Sequence, residues 1–326
     1  MRRTSYGYSS YQGRGGARAV LKGIIVLLVI ILLLAIAAVF YLQRYMVYSD
    51  DGTVRVDIPF LQREQPSRPV EPLITATPEA SASPEPSPTP PAKPEVILPV
   101  TLPREALYDG TAQELVKEGG GTAAMFDMKW DTGELGWVSD QALAIAAKVS
   151  ADEPVLNVAI RAAAENDGVY RIARLSCFKD NLLSNADTSL AILTNSGYRW
   201  TDPDKIRWIS PTSETVRAYL AALCGELAGL GFDEILLDNA GYPTQGKLGY
   251  IKKGSAYDAA SFETVISGFY REVADVLEGT GVALSVVYDP ETTALSGQSE
   301  EGIQAAGAAV VTRDEEGKLS WHTAEP

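Results

Sequence analysis

Residues 231–243 read Gly-Phe-Asp-Glu-Ile-Leu-Leu-Asp-Asn-Ala-Gly-Tyr-Pro. A helix is expected over residues 213–230, with Gly231 as the left-handed stop after its last apolar residue. Ile235, Leu236 and Leu237 then form a short apolar run, which after a helix reads as a buried parallel strand. Asp238 closes that strand, and turn residues follow at once. Parallel α/β folds place their chemistry at the carboxyl ends of strands, so Asp238 is the first candidate functional residue. The alternative for an Asp in this position is to cap its own loop by accepting from backbone amides.

The same alternation runs from Arg104 to the end of the chain, and it predicts a parallel sheet or barrel. Strands are expected over 105–108, 122–129, 169–176, 235–238, 282–288 and 308–312. Helices are expected over 111–118, 139–149, 154–165, 213–230 and 261–278. The last helix carries Phe262, Val265, Ile266, Phe269, Val273 and Val276 on one side,. A complete eight-stranded barrel takes about 250 residues, whereas 104–326 holds 223. The expected barrel is therefore shortened at its C-terminus.

What precedes the barrel is of a different kind. Residues 1–22 contain Arg2, Arg3, Arg14, Arg18 and Lys22 and no acidic residue, the composition of a disordered basic tail,. Residues 23–42 are an uninterrupted apolar run, long enough at ~1.5 Å per residue to span a bilayer core of ~30 Å. The run exceeds the ~7 to 15 apolar residues of a cleaved signal peptide. It reads as a signal anchor, with the basic tail in the cytoplasm and the rest outside. Residues 43–103 form a stalk and linker; mild alternation at Val54, Val56 and Ile58 suggests one strand, and twelve prolines fall between 62 and 103. Such a segment buries no core and favours extended polyproline conformations. At ~3.1 Å per residue it could hold a domain up to ~130 Å from a membrane.

Composition removes several function classes. His322 is the only histidine, which argues against Ser-His-Asp and Cys-His catalysis and against His-based metal sites,. Cys177 and Cys224 match no metal or redox spacing,. A net charge of −14 argues against a nucleic-acid partner,. No cofactor and no metal site is expected; Asp202 and Asp204 are oxygen-rich but lack EF-hand spacing.

Alternation along strands assigns side chains to faces. Met125, Asp127 and Lys129 share one face, as do Ile172, Arg174, Ser176 and Phe178, followed by Lys179 and Asp180. Glu234, Leu236 and Asp238 share another, and the fifth strand ends at Tyr288-Asp289. Asp127, Asp180, Asp238 and Asp289 thus fall at or just past the same ends of consecutive strands. Two carboxylates ~5 to 9 Å apart at a barrel mouth are what glycoside hydrolysis needs: one protonates the leaving oxygen, the other attacks or activates water. Lys129 and Arg174 would hold one carboxylate ionised while burial raises another. Plain ion pairing of Asp127 with either cation is the competing explanation. Trp130, Trp137, Trp200, Trp208 and Tyr242 fall mostly in loops on the same side, where aromatic faces suit sugar rings or close the top of the core.

Several of these pieces carry a resemblance. Phe126-Asp127-Met128-Lys129 with Asp131-Thr132-Gly133, Tyr170 to Arg174 with Phe178-Lys179-Asp180, and Trp208 with Pro211 occur in order. Gly231-Phe232-Asp233-Glu234-Ile235, ending at Asp238 and Pro243, completes the set. Residues 122–243 resemble the glycoside hydrolase-like TIM-barrel domain of bacterial secreted and membrane proteins, distantly like α-amylase-type barrels. The resemblance implies a (β/α)8 barrel that cleaves or binds polysaccharide, with Asp238 in the nucleophile position and Asp127 and Arg174 as pocket neighbours. After the fourth-strand Asp the family shows Tyr, then Arg and an aromatic before Pro; here stand Asn239, Gly241 and Tyr242.

Together these readings predict a membrane-anchored, extracytoplasmic glycoside hydrolase-like protein acting on polysaccharide or peptidoglycan. Asp238, Asp289 and Asp127 are the expected catalytic residues. Lys129, Trp130, Arg174, Lys179, Asp180, Trp208, Asn239, Tyr242 and Tyr288 are the expected substrate-binding residues. A non-catalytic glycan-binding or envelope scaffold on the same barrel is the second reading.

Overall fold

The computed structural model describes residues 46–48, 54–56 and 92–322. The basic tail, the apolar run 23–42 and most of the Pro-rich stretch lie outside the described residues. Among the described residues no helix is long and apolar enough to cross a membrane. The chain divides into two compact units, Met1–Ala82 and Ser83–Pro326. In the first, β1 (Met46–Tyr48) and β2 (Val54–Val56) pair antiparallel.

The second unit is a seven-stranded sheet in the order β3 (Pro99–Thr101), β4 (Ala123–Lys129), β5 (Arg171–Ser176), β6 (Glu234–Asp238), β7 (Ala283–Val287), β8 (Ala309–Arg313) and β9 (Leu319–His322). Every pairing is parallel except β8 with β9. The second unit thus folds as mixed α/β with a curled, half-barrel sheet of seven strands, not eight, among the described residues. Two expectations change. Residues 105–108 form no strand: Arg104–Leu107 is a 3-10 turn, and the first strand of the sheet is Pro99–Thr101, inside the stretch read as linker. The last strand is antiparallel because only a tight turn, with Gly317 at φ +85°, separates it from β8; a parallel return needs a crossover of a dozen residues or more.

Alternation splits the core into two faces. Outward residues such as Phe126, Ala173, Leu175, Ile235, Leu237 and Val286 join the large core under the helices. Inward residues Ala123, Met125, Tyr170, Ile172, Leu236, Val311 and Leu319, with Ile97, fill the inside of the curl. At the amino ends of the strands, Glu234 is fully buried and accepts from Tyr170 Oη at 2.8 Å and from Trp321 Nε1 at 2.6 Å. Lys93 Nζ lies 3.3 Å from it. One carboxylate of the middle strand therefore gathers the N-terminal segment and β9, two edges that do not pair with each other.

Helices α1 (Ala112–Glu118), α2 (Ala142–Ala147), α3 (Leu156–Asn166), α4 (Asn181–Ala186), α5 (Glu214–Ala228) and α6 (Phe262–Leu277) follow in chain order. Short α7 (Thr293–Ser296) and α8 (Glu300–Ala305) complete the set. In α6 the buried positions Phe262, Ile266, Phe269, Tyr270, Val273 and Leu277 recur at helical spacing, so one stripe faces the core,. Helix α5 starts at the Ser213 cap, whose hydroxyl accepts from Val216 N at 3.4 Å,. Gly225 lets α5 and α6 approach: a Cβ there would lie 2.9 Å from Val276 Cγ1.

Just before β6, Asp233 accepts from Arg171 N at 2.8 Å, and burial pushes its carboxyl up to about 6. A carboxyl whose folded pKa is raised contributes stability below its unfolded value, which is lost as pH rises towards 6. Asp233→Asn, which keeps an acceptor for Arg171 N, should flatten the fall in melting temperature between about pH 4 and 6. Thermal melts across that range check this; an unchanged slope would show that Asp233 is solvated in the folded state.

Candidate active site

The site lies on the inner face of the curl at the carboxyl ends of β4, β5, β6 and β8. Register sets Asp127 of β4 opposite Arg174 of β5, and Ser176 of β5 opposite Asp238 of β6. Arg174 Nη1 donates to Asp127 Oδ1 at 2.7 Å, while its Nε donates to Asp238 Oδ2 at 2.8 Å. From β8, Arg313 Nη2 reaches the same Asp238 oxygen at 2.5 Å. The other oxygen of Asp238 accepts from Asn239 N at 2.8 Å. Burial by itself would raise the Asp238 carboxyl, but the guanidiniums of Arg174 and Arg313 overrule it and hold it below the usual range,. Burial opposes the charge on Arg174, and Asp238 and Asp127 more than offset that, so its pKa is raised. Each partner thus favours the charged form of the other.

Asn239 has φ +47°, a left-handed conformation that Asn adopts more readily than most residues,. That turn aims its amide back into the site, where Nδ2 donates to Ser176 Oγ at 2.9 Å and Asp131 Oδ1 at 3.2 Å. Asp131 continues outward to Lys179, whose Nζ lies 3.1 Å from Asp131, 3.3 Å from Asp202 and 2.9 Å from Asp204. A lysine ammonium thus stands between Asp202 and Asp204. Burial disfavours its charge, but these hydrogen bonds and carboxylates leave the pKa raised. A cleft of about 760 Å³ opens beside Arg174 and Asp131, with Trp130, Glu134, Arg104 and Lys148 in its walls.

The structure therefore brings together Asp127, Asp238, Arg174, Asn239 and Lys179, and sets Trp130 on the cleft. It places the others elsewhere. Asp289 is exposed, and its carboxylate accepts from Glu291 N at 2.9 Å as the cap of a 3-10 turn. The strand stops at Val287, so Asp289 follows the turn rather than the inner face. Tyr288 is half-buried and turns towards Thr293, 3.4 Å from hydroxyl to hydroxyl. Lys129 and Asp180 are both fully buried and 2.9 Å apart. A register shift between Asp127 and Lys129 takes Lys129 off the Asp127 face,. Its Nζ donates to Ser176 O at 2.7 Å. Asp180 also caps α4 by accepting from Leu183 N at 2.8 Å. It packs so tightly on Gly133, at φ +103°, that a Cβ there would collide with its carboxylate.

The expected aromatic shelf is mostly core. Trp137, Trp200, Trp208 and Tyr242 are buried. Trp137 Nε1 donates to Glu226, Trp208 Nε1 to Asp202, and Tyr242 stacks on Phe262 at 3.8 Å between ring centres. Arg313 and Asp131 are the residues that sequence reasoning left out of the site. The signal for Arg313 was alternation with Val311 on β8, one residue past the expected strand end. It supplies from another strand the guanidinium that the segment after Asp238 lacks.

Among solved structures, a hypothetical protein from Ruminiclostridium thermocellum is 22% identical, with TM-score 0.48 over 58% of this chain and 96% of its own. The glycoside hydrolase domain of PgaB (BpsB) from Bordetella bronchiseptica is 12% identical, with TM-score 0.46 over 67% of this chain and 74% of its own. The glycoside hydrolase domain of a PelA variant from Pseudomonas aeruginosa is also 12% identical, with TM-score 0.37 over 71% of this chain and 74% of its own. No curated protein matches. The family described as "Putative glycosyl hydrolase domain" matches residues 108–304. That match spans more than half of the 326 residues and encloses Asp127, Arg174 and Asp238, and the chain belongs to this family.

Proposed function

We propose that the protein is a membrane-anchored glycoside hydrolase that cleaves cell-envelope or extracellular polysaccharide outside the cell. One observation carries the reading: Asp238, buried at the end of β6, is held ionised by two arginines, one of which also holds Asp127. Sharing one guanidinium keeps the two carboxylates near each other, as glycoside hydrolysis with its pair ~5 to 9.5 Å apart requires,. An ionised Asp238 attacks, or stabilises the charge on, the anomeric carbon of an oxocarbenium-like transition state. Asp127, about a third exposed at 32%, passes a proton to the leaving oxygen and takes one from water,. Arg174 orients both carboxylates. The apolar run 23–42, the basic tail before it and the Pro-rich stretch after it support anchoring with the domain held away from a bilayer,.

A second reading, glycan binding without cleavage, is favoured by Asp238 Oδ2 itself: Arg174 Nε and Nη2 and Arg313 Nη2 all point at that one oxygen. An oxygen so engaged has less electron density to give in attack. The full chain, incubated with peptidoglycan and a panel of α- and β-glucans, tests the choice through released reducing ends. Release that depends on Asp238 supports hydrolysis. No release from any polysaccharide, with saturable retention on insoluble wall, supports the binder.

Arg313→Ala gives a finer check. It removes one of the two charges that depress the Asp238 carboxyl, leaving burial less opposed,. The acid limb of the pH–rate profile should move to higher pH. A limb that stays in place would mean that another group sets it.

A further inference from the structure

The turn that follows β4 carries a carboxylate to which the proposed chemistry gives no role. Trp130 N donates to Glu134 O at 3.1 Å and Gly133 N to Trp130 O at 2.9 Å, so the turn closes on its own backbone. Asp131 sits inside it, yet among the described residues no backbone amide donates to its carboxylate. The capping role common for an Asp in a turn is therefore not taken up. Instead the side chain is 35% exposed and lies in the wall of the cleft of about 760 Å³.

This carboxylate is held from behind and open in front. Asn239 Nδ2 donates to Oδ1 at 3.2 Å, and Lys179 Nζ lies 3.1 Å from Oδ2. Arg174 Nη2, at 3.8 Å from Oδ1, is too far for a hydrogen bond,. An ionised carboxylate offers about four lone-pair sites, two on each oxygen, so each oxygen keeps one to spare. Lys179 is itself anchored by Asp204 at 2.9 Å and Asp202 at 3.3 Å. Asp202 in turn accepts from Ile206 N at 2.9 Å and from Trp208 Nε1 at 3.1 Å. With three carboxylates around one ammonium, Lys179 has no donor to spare for a ligand. It aims Asp131 at the cleft.

From this geometry we infer that Asp131 selects the substrate, by accepting from two adjacent hydroxyls of the sugar unit bound beside Arg174. Adjacent equatorial hydroxyls point side by side, as the two oxygens of a carboxylate do, so two charge-assisted hydrogen bonds form together. Trp130, half-buried in the same wall, offers that sugar a ring face,. The inference rests on the proposed function for its choice of a glycan, and it narrows that glycan to one with two adjacent free hydroxyls on each unit. Glucans linked 1,4 have such a pair, whereas internal units of glucans linked 1,3 do not.

Depletion of the full chain from solution by four insoluble glucans tests it: cellulose and amylose, both 1,4-linked, against curdlan and an α-1,3-glucan. The better 1,4-linked glucan should retain the protein at least ~10-fold more tightly than either 1,3-linked one, as two hydrogen bonds to a charged acceptor imply. Asp131→Ala should shrink that preference to ~2-fold or less, since neither bond can form. Its melting temperature should hold, because Lys179 keeps Asp202 and Asp204, and Asn239 Nδ2 keeps Ser176 Oγ at 2.9 Å. Asp131→Asn, which keeps the size but turns one acceptor into a donor, should lose most of the preference as well, so the result does not hang on the folding of one variant. A preference that survives both substitutions, equal retention of 1,4- and 1,3-linked glucans by the wild type, or retention on none of the four would each overturn it. Reducing-end release reports separately on the proposed function. Linkage preference without release would fail that function and leave Asp131 its role; release without preference would do the reverse.

Discussion

Asp238→Asn should reduce glycan cleavage by at least ~10³-fold, about 4 kcal/mol of barrier. The substitution keeps the shape of the side chain and its hydrogen bond from Asn239 N, removes the charge, and turns the oxygen facing Arg174 and Arg313 into an amide nitrogen that cannot accept from them,. Without that charge the site loses the carboxylate assigned to attack or stabilise the anomeric carbon. The fold should survive, because each arginine keeps another way to be satisfied. Arg174 retains Asp127 at 2.7 Å, and the Arg313 side chain is 39% exposed to solvent. A buried pair broken from one side costs up to ~3 to 5 kcal/mol, and partial exposure of both arginines brings this well below that range. The measurement is reducing-end release by variant and wild type at equal folded concentration, with melting temperatures recorded for both. A variant that keeps a tenth or more of the activity would remove Asp238 from the mechanism.

Lys129→Met should cause the larger structural loss, about 3 to 5 kcal/mol. Lys129 and Asp180 are both fully buried, so deleting the ammonium leaves a carboxylate with no solvent to receive it,. The pair meets at 2.9 Å but off the axis of a good hydrogen bond, so Asp180 Oδ2 has no other donor to fall back on. For a domain of this size the loss corresponds to roughly 6 to 20 °C in melting temperature. Adding Asp180→Asn should recover part of it, because the amide oxygen still caps Leu183 N while the stranded charge is gone. Calorimetric melts of the wild type, the single and the double variant check this. Equal melting temperatures for the single and double variants would show that Lys129 acts through packing alone.

Where local pattern and tertiary structure agree, the chain was readable in advance. The run Ile235 to Leu237 is a buried parallel strand, Asp238 sits at its carboxyl end, and the inward alternation of Asp127, Arg174 and Asp238 places three site residues on one face. The failures have separate physical causes. Alternation assumes a regular ladder, and the shift after Asp127 sends Lys129 into the protein instead of the cleft. A strand end cannot be located to one residue from pattern, so Arg313 fell outside the site and Asp289 fell inside it. Indole and phenol rings carry one polar atom on a large apolar body. Whether the body packs in the core or faces a cleft depends on partners such as Glu226 and Asp202, far away in sequence or set by a loop,. Pro99 to Thr101 was hidden because proline-rich surroundings mask a strand of three residues, and only pairing with β4 reveals it.

The clasp at Glu234 sets the route by which mechanical load enters this domain. Tension in the chain before residue 92 arrives first at Lys93, which grips the buried Glu234 of the central strand, and then at β3, paired to β4 over three residues. Both points lie at the amino ends of the strands, opposite the end that carries Asp127, Arg174 and Asp238. A pull therefore strains the closed floor of the curl before it can distort the mouth. The arrangement of Asp127, Arg174 and Asp238 is thus separated, by the depth of the sheet, from the point where the chain enters it.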